Sequence, residues 1–362
     1  MYYRENGQFK TSYRADQQIF PILQDRVLMA ALAVAAAALV PWVASDYALD
    51  ALIVPWLILT LAALGVNLLV GYCGQISLGA ASIMGVGAYA AYNLAVRIPS
   101  ASFLLVLLFA GLAAAFVGVL FGTPSLRIKG LYLAVATLAA QFFLSWCFIR
   151  VQWLYNYNVS ASIEVPTKTV FGLAVTGPNA TPVTRYLIVL TIVTLMTLAA
   201  SNLIRGRIGR TWMAVRDMDI AAELRGIKLL PTKLLAFAVS SYYCGVAGAL
   251  LVFLWYGGAE YDVFDINQSF FILFMVIIGG LGSLVGSFFG AALIFIMPIV
   301  LGLVVPAVLA PFGVAIGADI IEHLRFMLVG ALIIFFLIVE PHGLARLWQI
   351  AKQKLRVWPF PY

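Results

Sequence analysis

The stretch from Ala51 to Val96, ALIVPWLILTLAALGVNLLVGYCGQISLGAASIMGVGAYAAYNLAV, contains no Asp, Glu, Lys or Arg. A helix needs about 20 residues to cross the hydrocarbon core of a bilayer, so this single run has room for two crossings. Its apolar residues are continuous, whereas a transmembrane β-barrel strand alternates apolar and polar positions. Other charge-free runs cover 27–45, 98–126, 130–149, 186–204, 234–259, 266–318 and 326–339. Across all 362 residues, 64% are hydrophobic and 10% charged, and the mean hydropathy is +1.02. Soluble domains are about 45–50% apolar and roughly 25% charged. So few ionisable groups cannot wet one large soluble surface, and so much apolar surface excludes intrinsic disorder. The fold class is therefore all-α, a polytopic helical membrane protein with eight to ten spans.

Ten segments are expected, near 27–45, 51–71, 76–96, 103–121, 130–150, 186–204, 233–256, 268–282, 284–305 and 323–340. The stretch 268–282 is short for a crossing, and a re-entrant piece is the other reading of it. Placing residues 1–26, 122–129, 205–233 and the chain after 340 on one side gathers 17 of the 22 Lys and Arg there. By the positive-inside rule that side is cytoplasmic, with both termini. Three parts follow: a cytoplasmic segment 1–26, a membrane domain 27–340 containing the cytoplasmic loop 205–233, and a basic tail 341–362. An uncleaved first span is preferred to a signal peptide, because the apolar run begins behind a charged leader and is long enough to cross. The net charge of +7 thus belongs to a basic inner face and not to nucleic-acid binding.

No charged residue lies well inside a predicted span, although ion-coupled carriers usually keep one there. No Gly-Lys dipeptide occurs, so the phosphate loop of an ATPase is missing. H-E-x-x-H, C-x-x-C and G-x-S-x-G are missing too. No catalytic residue, cofactor site or metal site is expected. Cys73, Cys147 and Cys244 have no ligand spacing and read as packing residues.

The loop RGRIGRTWMAVRDMDIAAELRGIKLLPTK, 205–233, mixes charges of both signs. Asp217, Asp219, Ala221, Ala222, Glu223 and Leu224 form a helical stretch with acids near its start, where the helix dipole favours them. Gly226 is suited to end it in the left-handed conformation, with Pro231 beyond. Upstream, Gly71, Gly74, Gly79, Gly85 and Gly87 accompany Asn67, Gln75, Ser77 and Ser82. That mixture permits broken backbone lining a path, or close helix packing with interhelical hydrogen bonds, and both readings stay open. Thr137 and Gln141 share one helix face; Thr137 also suits a bond back to its own helix. Gly282, Gly286 and Gly290, four apart, are expected on one face for packing, with Gly279 and Gly280 just before them.

Several of these stretches resemble one family in order. GVNLLVGYCGQISLGAASIMGVGAYAAY (65–92), LRIKGLYLAVATLAAQ (126–141), KLLAFAVSSYYCGVAGAL (233–250), IIGGLGSLVGSFFGAAL (277–293) and VEPHGLARLW (339–348) resemble the LivM-type permease of branched-chain amino acid importers. The loop is similar to the Ala-Ala–x3–Gly element with which importer permeases dock onto an ATP-binding subunit, here Ala221, Ala222 and Gly226. Ile220 stands where that element usually carries an acid. The polar position after Thr-Leu-Ala is represented here by Gln141, followed by Phe142 and Phe143.

The resemblance implies a coupling contact built from Arg210, Arg216, Asp217, Asp219, Ala221, Ala222 and Gly226. It implies a translocation path near Asn67, Gln75, Ser77, Ser82, Thr137 and Gln141. The implied partners are a second homologous permease, two ATP-binding subunits, a periplasmic solute-binding protein received by loops such as 151–185, and the lipid of a bacterial inner membrane. Branched-chain or related hydrophobic amino acids are the implied cargo. Urea, short amides or other small carboxylates are the alternative within the class, and a self-sufficient carrier or channel is the alternative outside it.

Overall fold

The computed structural model describes residues 11–12, 23–125, 131–170, 172–177, 180–309, 318–340 and 342–357. Most of the expected segment 1–26, part of the 122–129 turn and the end of the tail lie outside the described residues.

The chain is helical almost throughout. In order come α1 (Leu23–Val43), α2 (Val54–Asn67, extended at both ends by the π-turns Ala48–Ile53 and Leu68–Tyr72), α3 (Ala80–Arg97), α4 (Phe103–Ser125) and α5 (Leu131–Arg150). Then follow α6 (Pro182–Arg205), the short α7 (Arg207–Asp217) and α8 (Asp219–Leu224), and α9 (Leu229–Leu250, continued by the π-turn Leu251–Tyr256). Last are α10 (Ile266–Gly279), α11 (Leu284–Leu309), α12 (Ala318–Val339) and α13 (Gly343–Val357). Two minute sheets fold the longer loops: β1 (Ile163–Glu164) pairs antiparallel with β4 (Gly258–Ala259), and β2 (Thr169–Val170) with β3 (Leu173–Ala174).

Each of the ten predicted segments carries a helix. Among the described residues, seven are long and apolar enough to cross a membrane: 48–72, 103–123, 132–150, 182–205, 229–256, 261–279 and 284–306. The segment expected to be short, 268–282, begins earlier, because a 3-10 turn at Tyr261–Phe264 leads into α10. With that turn it counts among the seven. The apolar parts of α1 and α12 are shorter, and α3, long enough at 18 residues, is less apolar, with Ser82, Asn93 and Arg97 among its residues.

Buried residues centre on α2, α3 and α9. Thirteen of the 14 residues of α2 are buried, Val54, Pro55 and the unbroken run from Leu57 to Asn67. Glycine allows the three helices to approach. A Cβ on Gly87 of α3 would overlap the backbone of Gly245 on α9, and one on Gly65 of α2 would meet Tyr243. Aromatic side chains tie the outer helices on. Tyr243 donates to the Met196 carbonyl of α6 at 2.7 Å, Tyr186 to Ala36 of α1 at 2.8 Å, and Trp56 to Phe288 of α11 at 3.1 Å. Each such bond gives a buried polar tip a partner that apolar surroundings cannot supply.

The bundle has two distinct ends. At one, the end of α2, the α7–α8 segment, the α10–α11 turn and the start of α13 meet: Arg216 reaches Gly71, and Gly280 lies against His342. This is the basic end. At the other, Asp50 pairs with Arg185 at 3.3 Å, and the Lys168 ammonium donates to the Pro99 carbonyl at 2.8 Å. Lys168 is buried, and the loss of hydration lowers its pKa from the ordinary lysine value.

Gly87→Leu should leave little folded protein, because backbone cannot yield to a side chain and overpacking typically costs about 1–3 kcal/mol or more. Gly302→Leu, where nothing lies within 4 Å, should behave as the native chain. Monodispersity in size-exclusion chromatography checks both.

Candidate functional site

Between Tyr72 and Ala80 the chain leaves the helix inside the bundle. Gly74 takes φ 71°, a left-handed conformation that glycine adopts without steric cost. Cys73, Gln75 and Gly79 are nevertheless buried. Freed backbone amides in apolar surroundings need partners, and this bridge finds them. Gly74 and Gln75 donate to the Val70 and Leu69 carbonyls, each at 3.1 Å. Leu78 donates to Thr137 Oγ1 at 2.9 Å. At the start of α3, Ala81 donates to Ser269 Oγ at 2.8 Å and Ser82 to Gln141 Oε1 at 2.9 Å.

Gln141, 1% exposed, is the hub of this arrangement. Its Oε1 also accepts from Ser269 Oγ at 3.0 Å, and its Nε2 donates to the Phe264 carbonyl at 2.8 Å. Thr137 bonds back to Ala134 at 2.9 Å, and Ser82 to Gly79 at 3.0 Å. Ser77 is half-buried and accepts a long bond from Gly79 at 3.4 Å. Ser77, Ser82, Thr137, Ser240 and Ser241 line one small cavity of about 30 Å³, room for about two waters.

Asn67 forms a second clasp, between α2 and the α10–α11 turn. Its Nδ2 donates to the Ser283 carbonyl at 2.8 Å and Ser287 Oγ at 2.9 Å, and its Oδ1 accepts from Gly282 at 2.9 Å. Gly286 and Gly290 lie on one face of α11, where a Cβ would strike Gly279 and Met275 of α10. The expectation that Gly282 shares that face is corrected. It sits at φ 77° in the turn, because α11 starts only at Leu284. Gly280, at φ 115°, lies in the same turn.

At the basic end, α7 is anchored by Trp212, fully buried and donating to the Thr232 carbonyl at 3.1 Å. The stretch expected as one helix from Asp217 is two. Met218 is extended, at φ −156° and ψ 98°, so Asp217 closes α7 and Asp219 opens α8. Asp217 accepts from Arg216 at 2.9 Å and caps nothing. Gly226, at φ 82°, ends α8. Its amide reaches Glu223 at 2.8 Å while Ile227 reaches Ala222 at 3.1 Å, the paired bonds of a Schellman motif.

The two faces of α8 differ. Ala222 is buried, whereas Met218, Ile220 and Leu224 are 70%, 65% and 85% exposed. Arg216 joins the segment to the bundle, its Nη1 donating to the Gly71 carbonyl at 2.8 Å. The carbonyl that Arg216 holds therefore lies four residues beyond Asn67. Arg210 is exposed on α7 and takes no part in this contact. A cavity of about 720 Å³ opens between the bridge and α8, lined among others by Cys73, Gln75, Arg216, Asp219, Ala221 and Lys233.

Ser269, Ser283, Ser287 and Lys233 were not among the candidates drawn from sequence. Each is an isolated polar residue beside an apolar run, and no spacing distinguishes it there.

This is a polytopic helical permease architecture, with a broken helix in the core and a short helix with exposed apolar residues at one end. The chain belongs to the family described as branched-chain amino acid transport system / permease component, whose profile matches residues 48–337. It is 28% identical over 346 residues to the high-affinity branched-chain amino acid transport system permease protein LivM of Salmonella typhimurium, covering 89% of this chain and 75% of that one. Against the protein of the same description from Escherichia coli it is 28% identical over 311 residues, 80% of this chain and 68% of the relative. No solved structure matches.

Arg216→Met should detach α7 from Gly71 and speed tryptic cleavage at the exposed Arg225 and Lys228 several-fold in inserted protein. Asn67→Leu should lower the thermal midpoint well below that of Ser77→Ala, since each buried group left unpaired costs about 1–3 kcal/mol.

Proposed function

We propose that this chain is the gated conduit of an importer for branched-chain or related hydrophobic amino acids, driven by ATP hydrolysis in separate subunits. It sits in a bacterial inner membrane with the basic end, both termini and the α7–α8 segment in the cytoplasm, where Lys and Arg concentrate. A second permease completes the path, and a solute-binding protein meets the loops of the opposite end. The domain reading places 27–340 in the membrane, with 205–233 as the coupling loop and 341–362 as a basic tail.

The observation that carries the reading is α8 itself. It offers Met218, Ile220 and Leu224 outward while Arg216 is bonded to Gly71, one residue before the helix gives way to the bridge. An ATPase that pushes or pulls α8 thereby acts on the backbone that continues into Gln75 and Ser77. Asn67 and Gly282 share the same neighbourhood, so the movement reaches α10 and α11 as well. Family membership and the 28% identity to two LivM proteins support the cargo class.

Ala222→Trp removes the fit of α8 against the bundle, and Gly226→Val forces a β-branched residue into positive φ. Both variants should insert in normal amount yet lose ATP-dependent uptake of radiolabelled leucine in reconstituted vesicles. Unchanged uptake in both would defeat the coupling role. Transport by this chain alone, without an ATPase, would defeat the conduit reading altogether.

A further inference from the structure

Helix α13 covers the basic end without filling the space beside it. Its first residue, Gly343, packs against Ile278 and Gly280, and Ala345 is buried, so the helix is fixed to the α10–α11 turn. Further along, Leu344, Leu347, Trp348 and Ala351 recur at the spacing of one helix face. All four line a groove of about 800 Å³ that α13 shares with α11 and α12. On α11 the lining runs from Phe289 to Leu301, about 18 Å along the helix axis. One leaflet of a bilayer's hydrocarbon core is about 15 Å deep, so the groove has the depth of one leaflet. Its lining is apolar from end to end, and Ile296, Val300, Leu347 and Trp348 are each about half exposed.

Charge sits at one end of this groove. Helix α13 carries Arg346, Lys352, Lys354 and Arg356 and no Asp or Glu, and α11 carries no charge at all. Arg346 pairs with Glu340 at 3.4 Å. Lys352 follows Trp348 by four residues and Lys354 follows Leu347 by seven, which puts two exposed lysines on opposite edges of the groove-lining face. Trp348 stands edge-on to Phe289 at 5.7 Å, the kind of ring that settles where headgroups meet acyl chains.

We propose that the groove is a binding site for one anionic phospholipid of the leaflet at the basic end. An acyl chain lies along α11 from Phe289 to Leu301, and the headgroup phosphate is held between Lys352 and Lys354. A soluble anion has no use for so long an apolar wall. A zwitterionic lipid brings its own cation towards the two lysines, so an acidic headgroup is the one selected. Because α13 starts on the turn that Asn67 clasps from α2, the bound lipid steadies that turn. This inference goes beyond the reading above and needs neither ATPase nor binding protein for its first test.

The whole chain is placed in phosphatidylcholine nanodiscs containing rising amounts of phosphatidylglycerol that carries a diazirine near the end of one acyl chain. After illumination, labelled peptides are mapped by mass spectrometry. Saturable labelling of 289–301 is expected, whereas phosphatidylcholine with the same diazirine should label only in proportion to its bulk fraction. Lys352→Gln combined with Lys354→Gln should weaken the apparent affinity for phosphatidylglycerol by about ten-fold or more, the scale of two lysines at an anionic surface. Ile296→Trp fills the groove and should abolish the saturable labelling although both lysines remain, a loss that purely electrostatic attraction of lipid does not produce. All three positions are exposed, and monodispersity of each variant checks its fold. Equal labelling by the two lipids, an unchanged affinity in the lysine variant or unchanged labelling of Ile296→Trp would overturn the proposal. So would a second permease that cross-links to this face and excludes the lipid in the assembled transporter.

Discussion

An amide or carbonyl released from a helix in apolar surroundings must be bonded again at once, because no water is there to take its place. Breaking the chain between Tyr72 and Ala80 therefore obliges the rest of the bundle to supply acceptors at fixed heights. α5 supplies Thr137 and Gln141, and α10 supplies Ser269 and the Phe264 carbonyl. These bonds determine how α3, α5 and α10 stand relative to one another. Hydroxyls and amides serve this purpose where carboxylates would not. Each is neutral, so burying it costs only its hydrogen bonds, which are made, and not the solvation of a charge.

The same constraint gives the basic end its mechanics. Gly71 is near the end of α2, where carbonyls lack helical partners. One of these vacant acceptors is taken by Arg216. A guanidinium offers several donors in a rigid fork, so Arg216 holds Asp217 and Gly71 together. Asn67, one helical turn earlier on α2, uses every polar atom of its amide on the α10–α11 turn. The short helix α7, the end of α2 and the α10–α11 turn are thus joined by bonds of 2.8–2.9 Å. The glycines keep this end compact: Gly280 admits the backbone at His342, and Gly282 admits Arg216.

Much of the fold was legible from charge placement alone. A run such as 51–96 can only be two helices in lipid, and all ten segments do carry helices. Gly226 was also legible, since a glycine after a helical stretch and before a proline has few other uses, and its φ is 82°. Less visible were the breaks within runs. Nothing in Met218 announces an extended residue, and so Asp217 and Asp219 were placed in one helix. Gly282 was assigned to a helix face by its spacing from Gly286 and Gly290, but spacing cannot tell where a helix starts. Single hydroxyls such as Ser269 carry no pattern at all. Their roles depend on which helices become neighbours, and tertiary packing decides that.

The distribution of ionised groups completes the physical argument. Asn67, Gln141, Ser269 and Thr137 do the polar work of the interior, and none of them titrates at physiological pH. The charged side chains with described ion pairs, Asp50 with Arg185, Arg216 with Asp217 and Arg346 with Glu340, stand at the two ends. A protein that moved solute by binding a coupling proton would keep a titratable group along its own path, and the proposed path residues Gln75 and Ser77 offer only dipoles. On the proposed reading, energy enters by displacement of backbone and not by protonation of a side chain. The segment that the proposal assigns to receive such a displacement is α8, with Ile220 and Leu224 exposed and Ala222 buried, next to the bond that Arg216 of α7 makes to Gly71.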